Sequence, residues 1–308
     1  MNHLTCVTSK RNKWYWYLLV LFLSWFVTNY LGAIPLIIVL LSHFIKTRSL
    51  DAEALSRFDF KAMGIDLNLG LFSLLFAFAV LLIALIVFIK LFHDRSWTEV
   101  INGTNRVRWS RFFFGFLVYG IILLIPFIIS LITEPELIEF RFEPTKFFIL
   151  FVIAVIFIPL QATAEEFIFR GYLAQGIASW TKSRWWTLMI PSLLFGLLHL
   201  SNPEIKEYGF LVIFSYIITA FLLGFMSIMD DGIELAMGVH TATNLFGCLL
   251  VTFKGSVLQT YALFEIFEVD PVKGLIPDAV AGIVLLAIFA YRYKWNFKIL
   301  NQKVVSLI

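Results

Sequence analysis

Three short stretches of the sequence carry side chains able to move protons, each within an otherwise apolar segment. The first is Glu165-Glu166-Phe167-Ile168-Phe169-Arg170, two carboxyls and a guanidinium. The second is Phe195-Gly196-Leu197-Leu198-His199, and the third is His240-Thr241-Ala242-Thr243-Asn244. A carboxylate or a neutral imidazole can take a proton from water, most efficiently when its pKa lies near the working pH. Imidazole N–H and carboxamide NH₂ groups can meet a developing oxyanion. Together these are the parts of a hydrolytic site. Glu165, His199 and His240 also form a zinc-type ligand set. That reading is the weaker one, because Asn244 is a poor zinc ligand and the chain has no H-E-x-x-H pattern.

Spacing separates the two acids. On a helix Glu166 and Arg170 are four apart and share a face, so they can pair. Glu165 is five residues from Arg170 and points about 140° away from it. It has no evident cationic partner on its own helix, and a carboxyl in a partly dehydrated cavity has its pKa raised toward neutrality. Phe195 and His199, and His240 and Asn244, are likewise four apart on one face. Each group alone has a quieter reading. A histidine or asparagine in a membrane helix can simply hydrogen-bond a neighbouring helix, Glu166–Arg170 can be a buried structural pair, and Phe195 is packing beside His199. Three such groups on successive apolar segments favour a functional centre. Elsewhere, His93 reads as interfacial, His3 and His43 as unremarkable, and Asp230-Asp231-Gly232 as a solvated turn. Cys6 and Cys248 suggest neither a disulfide nor a metal knuckle.

The elements that must position these groups are membrane helices. Of 308 residues 60% are hydrophobic and 15% charged, with 34 Phe, whereas a soluble chain carries about a quarter charged residues. An ionised side chain at bilayer depth costs about 2.5–3.5 kcal/mol, so three within six residues have to be paired, solvated or used. Apolar runs predict spans near 14–44, 67–92, 112–132, 147–180, 185–200, 208–229, 235–253 and 278–291. The first is too long for a signal-peptide core and is kinked or ended around Gly32 to Pro35, and Pro159 interrupts the fourth. The expected fold is an all-α polytopic membrane bundle of about eight transmembrane helices. With the N-terminus inside, fourteen basic residues fall on the cytoplasmic side, Lys10, Arg11 and the tail Arg292 to Lys303 among them, against nine outside. That bias places both termini in the cytoplasm. The net charge of +3 gives no reason to expect nucleic acid as a partner.

The three motifs resemble, in order, the E-E-x-x-x-R, F-x-x-x-H and H-x-x-x-N signatures of the CAAX protease and bacteriocin-processing (CPBP) family of intramembrane proteases. That family includes the Ras-converting CAAX prenyl endoproteases. The resemblance covers about residues 145–255, so the chain divides into N-terminal spans without recognised motifs (1–140) and a protease core with a C-terminal span (141–308). It implies that Glu165 and His199 activate water, that His240 and Asn244 hold the oxyanion, and that Glu166 and Arg170 support the site. The cofactor is left open between none and zinc. The implied setting is a bacterial plasma membrane, and the implied substrate a membrane-bound peptide or protein. The rival readings are a non-catalytic scaffold or immunity-type protein that keeps the polar site, and a transporter with Glu165 as proton relay. A transporter more readily shows broken helices in two repeated halves, and none is evident here.

Overall fold

A computed structural model describes residues 2–7 and 12–305, the side chains of 271–273 excepted. Lys10 and Arg11 of the orientation argument lie outside the described residues. The bundle is built from α1 (Trp14–Thr47), α2 (Leu67–His93), α3 (Trp109–Thr133) and α4 (Pro144–Thr181). It continues with α5 (Arg184–Leu198), α6 (Val212–Met229), α7 (Glu234–Leu245) and α8 (Pro271–Tyr293). All-α architecture holds, and the chain is a multi-pass membrane protein. Six of these helices are long and apolar enough to cross a bilayer. The expected fifth and seventh spans are shorter helices of 15 and 12 residues, below the roughly 20 that a full crossing needs. They are the helices that carry the histidine motifs.

Local chemistry sets the helix ends. Asp66 caps α2 by accepting from the N–H groups of Asn68 and Leu69, and Ser183 caps α5 through Trp186 N–H. Pro159 does not break α4, whose helix runs on from Pro144 to Glu166. A proline removes one backbone bond, and in lipid the neighbouring turns and helices can re-satisfy the freed carbonyl. The departure from regular helix comes later, in a π-helical widening at Phe167–Leu173. A second widening, Thr28–Gly32, lies in α1 just before Pro35. There a Cβ on Gly32 would stand 3.0 Å from the Cα of Ala77, so α1 crosses α2 at close range.

Both termini share one end of the bundle. The backbone N–H groups of Asn2 and His3 donate to the Asp231 carboxylate at 2.7 and 3.0 Å, and Arg184 Nη1 donates to the Gln302 carbonyl at 2.6 Å. The opposite end carries a small sheet that the all-α expectation did not include. Its strands are β1 (Ile138–Phe140), β2 (Val251–Phe253) and β3 (Phe264–Ile266), in the order β1-β3-β2. β1 pairs antiparallel and β2 parallel to β3. Three-residue strands leave no local alternation to read, and β1 finds β3 across more than a hundred residues of chain.

Residues before and after position 140 share a core. Tyr17, Val20, Leu85 and Phe112 pack with Ala164, Phe167, Tyr172 and Met237. A Cβ on Gly238 would collide with the Phe112 carbonyl, and one on Gly115 would meet the Leu235 carbonyl at 2.8 Å. Small residues thus let α3 and α7 touch backbone to backbone. Three expectations change here. Asp230 is 5% exposed and ion-paired with Arg108 and Arg111, both at 3.3 Å. His3 and His93 are each 1% exposed; His3 Nε2 donates to the Arg170 carbonyl at 2.9 Å, and His93 Nε2 is 2.7 Å from the Tyr172 hydroxyl. Polar side chains at a bundle end are buried when loops fold over them, which local composition does not reveal.

Candidate active site

α4 supplies the acids where it passes from α to π geometry. Glu166, the last residue before the widening, is fully buried, and its Oε1 accepts from Arg170 Nη1 at 2.9 Å. The same oxygen accepts from His240 Nδ1 on α7 at 2.8 Å. Arg170 is equally buried. Its Nη2 donates to the Ala220 carbonyl on α6 at 3.0 Å, and its guanidinium lies 4.4 Å over the Phe195 ring of α5. Ser192 on α5 donates to that same carbonyl at 3.1 Å. One arginine therefore ties together α4, α5, α6 and, through Glu166, α7. π-helical turns recur at functional sites, and this one lets Arg170 reach across the bundle from the middle of its helix.

Glu165 is placed differently. Its side chain keeps 15% exposure, and its Oε2 lies 3.5 Å from His240 Nε2, long for a hydrogen bond. A cationic partner was not evident on its own helix, and what the structure brings up from α7 is an imidazole. His240 thus stands between two carboxylates, with Nδ1 committed to Glu166 and Nε2 turned toward Glu165.

His199 lies one residue beyond α5, in a tight turn. Its Nδ1 faces the Phe195 carbonyl at 2.7 Å, so Nδ1 carries the proton and Nε2 keeps its lone pair. The ring is held between Phe195 and Tyr216, with centroids 4.5 and 4.4 Å away. Phe195 also meets His240 edge-on at 6.1 Å, and Glu165 and His240 both act electrostatically on His199. Asn244 Nδ2 donates to Gln161 Oε1 at 2.7 Å, which occupies one of its two amide hydrogens and leaves the other.

The structure therefore brings Glu165, Glu166, Arg170 and His240 into direct contact. It joins His199 to them through Phe195, and joins Asn244 to α4 through Gln161. The sequence reading missed Gln161 and Tyr216. Gln161 had a signal, since it is four residues before Glu165, on the same face, and polar at the end of an apolar run. Tyr216 had none. The zinc set does not close: among the described residues no three His, Cys, Asp or Glu side chains are grouped to hold a metal ion. The Nδ1 atoms of both histidines are held by the Phe195 carbonyl and by Glu166, which leaves their Nε2 edges facing the site.

The type II CAAX prenyl endopeptidase Rce1-like family matches residues 144–246, the stretch from the start of α4 to the end of α7. All six predicted site residues fall inside it. Uncharacterized protein YyaK of Bacillus subtilis (strain 168) is 30% identical over 206 residues, covering 66% of this chain and 68% of that protein. No solved structure matches.

Proposed function

The chain belongs to the type II CAAX prenyl endopeptidase Rce1-like family, and from that premise we propose that it is an intramembrane endopeptidase using Glu165 to activate water. Its substrate is a membrane-associated peptide segment, prenylated or transmembrane. The observation that carries this reading is the contrast between the two adjacent acids: Glu166 is sealed by Arg170 and His240, whereas Glu165 keeps exposure and only a 3.5 Å approach to His240.

Water attacks the scissile carbonyl as its proton passes to the Glu165 carboxylate. The unprotonated Nε2 of His199 orients the attacking water. The tetrahedral oxyanion meets the spare amide hydrogen of Asn244 and faces the Nε2 edge of His240, which can donate there only while Nδ1 also keeps its proton toward Glu166. When the C–N bond breaks, the proton held on Glu165 goes to the leaving amine. Glu166 and Arg170 keep the helices in register while this occurs. No step runs through a metal, since the donor set does not fit one. The basic residues near the shared end of the termini support a cytoplasmic position for that end, and the match to a Bacillus protein supports a bacterial plasma membrane.

The test is a comparison of membrane proteomes from cells lacking the gene, complemented with the wild type or with Glu165→Gln. New chain ends that return with the wild type and not with Glu165→Gln are expected. The same ends at equal levels in both would remove the assignment, and a phenotype restored by Glu165→Gln without any cleavage would favour the scaffold reading.

A further inference from the structure

His199 faces a positioning problem that its own helix does not solve. It follows the last residue of α5, at φ −84° and ψ 0° in a turn of three residues, so only one helical turn constrains its ring. Imidazoles used in chemistry have their tautomer and orientation fixed by groups around them. Here the Phe195 carbonyl fixes the proton on Nδ1. The Phe195 ring covers one side of the imidazole at an interplanar angle of 35°. The other side is covered from α6 by Tyr216, at 27°.

Tyr216 is itself anchored. Its hydroxyl accepts from Asn202 Nδ2 at 3.0 Å and faces the carboxyl of Glu204. Glu204 is 6% exposed, its Oε1 accepts from Val257 N–H at 2.8 Å, and its Oε2 has no aligned partner. On α6 Tyr216 lies one turn before Ala220, whose carbonyl receives Arg170 and Ser192. One face of α6 therefore serves both halves of the site.

We propose that Tyr216 is a positioning residue for His199. Its ring clamps the imidazole against Phe195, and Asn202 and Glu204 hold that ring in place from the start of the short helix Pro203–Tyr208. Stacked aromatic pairs prefer the near-parallel, offset contact seen here. Without the ring, the His199 side chain swings and its Nε2 no longer points steadily at the position of the water. The proposal rests on the reading of His199 as a site group.

The experiment follows the side-chain nitrogens of the five histidines by ¹⁵N NMR of the full-length protein in phospholipid nanodiscs. It needs no substrate, so it stands whether or not cleavage is ever found. In the wild type, His199 should give one tautomer with Nδ1 protonated. In Tyr216→Leu that signature should collapse into exchange-averaged signals, while His93 and His3, far from α6's Tyr216 face, keep theirs as controls of the fold. Tyr216→Phe keeps the ring and loses its anchor, and should broaden the His199 lines without changing the tautomer. An unchanged His199 in a folded Tyr216→Leu protein overturns the proposal. If Tyr216→Leu loses the control signals too, wild-type line widths at His199 in Tyr216→Phe overturn it, and selective broadening supports it. Loss of products in Glu165→Gln with an unmoved His199 in Tyr216→Leu would leave the protease reading standing and remove this one.

Discussion

At the end of the bundle that holds the termini, the two buried acids Asp230 and Glu234 are met by arginines. Glu234 accepts from Arg108 Nε at 3.0 Å and from the Arg108 backbone N–H at 3.1 Å. Asp230 is paired with Arg108 and Arg111, and Asp231 takes two backbone N–H groups from the N-terminal segment. Within the bundle the second cluster has two acids, two imidazoles and one arginine, and it is finished on one side only. Glu166 and Arg170 are closed as tightly as anything at the terminal end. Glu165 and the Nε2 edges of His199 and His240 are not. Burial of charge alone does not mark a site, since both clusters are buried. Orphaned polar atoms do not mark one either, since Asp230 Oδ2 and Arg111 Nη1 in the first cluster and Glu166 Oε2 and Arg170 Nε in the second all lack an aligned hydrogen-bond partner. What differs is that Glu165 keeps exposure and only a loose 3.5 Å contact beside the buried pair.

The largest expected effect falls on the unfinished side. Glu165→Gln keeps the shape and loses the proton acceptor, which contributes typically about 10²–10⁴ in rate. Cleavage products should fall by that factor while thermal unfolding in detergent stays at the wild-type value. A strong chelator should leave the rate unchanged, and a chelator-sensitive rate would show that a metal takes part after all.

On the finished side the expectation reverses. Removing one partner of a buried pair costs about 3–5 kcal/mol, so Arg170→Ala should lower the yield and melting temperature of folded protein. It would leave Glu166 with His240 as its remaining partner and empty the contacts to Ala220 and Phe195. Arg108→Ala should act the same way at the terminal end, where Glu234 has 0% side-chain exposure. The comparison breaks if Arg170→Ala melts like the wild type, or if Arg108→Ala slows cleavage per folded molecule as much as Glu165→Gln does. Asn244→Ala lies between the two classes. It should slow cleavage by about 10²–10³ if the amide supplies one oxyanion donor, and it should cost about 1–3 kcal/mol of stability, because it leaves the buried Gln161 Oε1 without its partner.

Much of the site could be read from spacing. Glu166 and Arg170 pair because four residues make one helical turn, and the histidine motifs each present one face for the same reason. What spacing does not carry is which faces meet. The approach of His240 to both acids depends on α7 lying against α4, and that depends on Gly238 and Gly115 admitting α3 from behind. Tyr216 enters from a helix with no polar motif, and Asp230, His3 and His93 are buried by segments distant in sequence. The sheet was invisible for the same reason, since Glu139 and Glu265 are partners only in the folded chain.

The smallest expected effect tests how closed the terminal cluster is. Burial, only partly offset by Arg108 and Arg111, pushes the Asp230 carboxyl up from 3.8 to about 6. Its folded value therefore lies above its unfolded one. Below pH 3.8 the group is protonated in both states and costs nothing. Between about pH 4 and 6 the unfolded chain ionises first, and stability falls at up to about 1.4 kcal/mol per pH unit for one proton. Above pH 6 both states are ionised and the loss is complete. His3 works in the opposite sense. Burial holds its imidazole below the usual 6.5, so its contribution is present above that value and is lost on acidification. A wild-type melting profile mixes the two, and Asp230→Asn separates them, because it removes one titration and leaves His3 on Asp231 and Arg170. The melting temperature of Asp230→Asn minus that of the wild type should rise from pH 4 to pH 6 and level off above it. A difference that is flat across this range would mean that Asp230 titrates near its ordinary value, held there by the two arginines, and that the terminal cluster is more completely neutralised than the 3.3 Å pairs imply. A difference that falls would mean that the arginines overcompensate for burial, and the Asp230 carboxylate would then join Glu166 among the fully sealed acids.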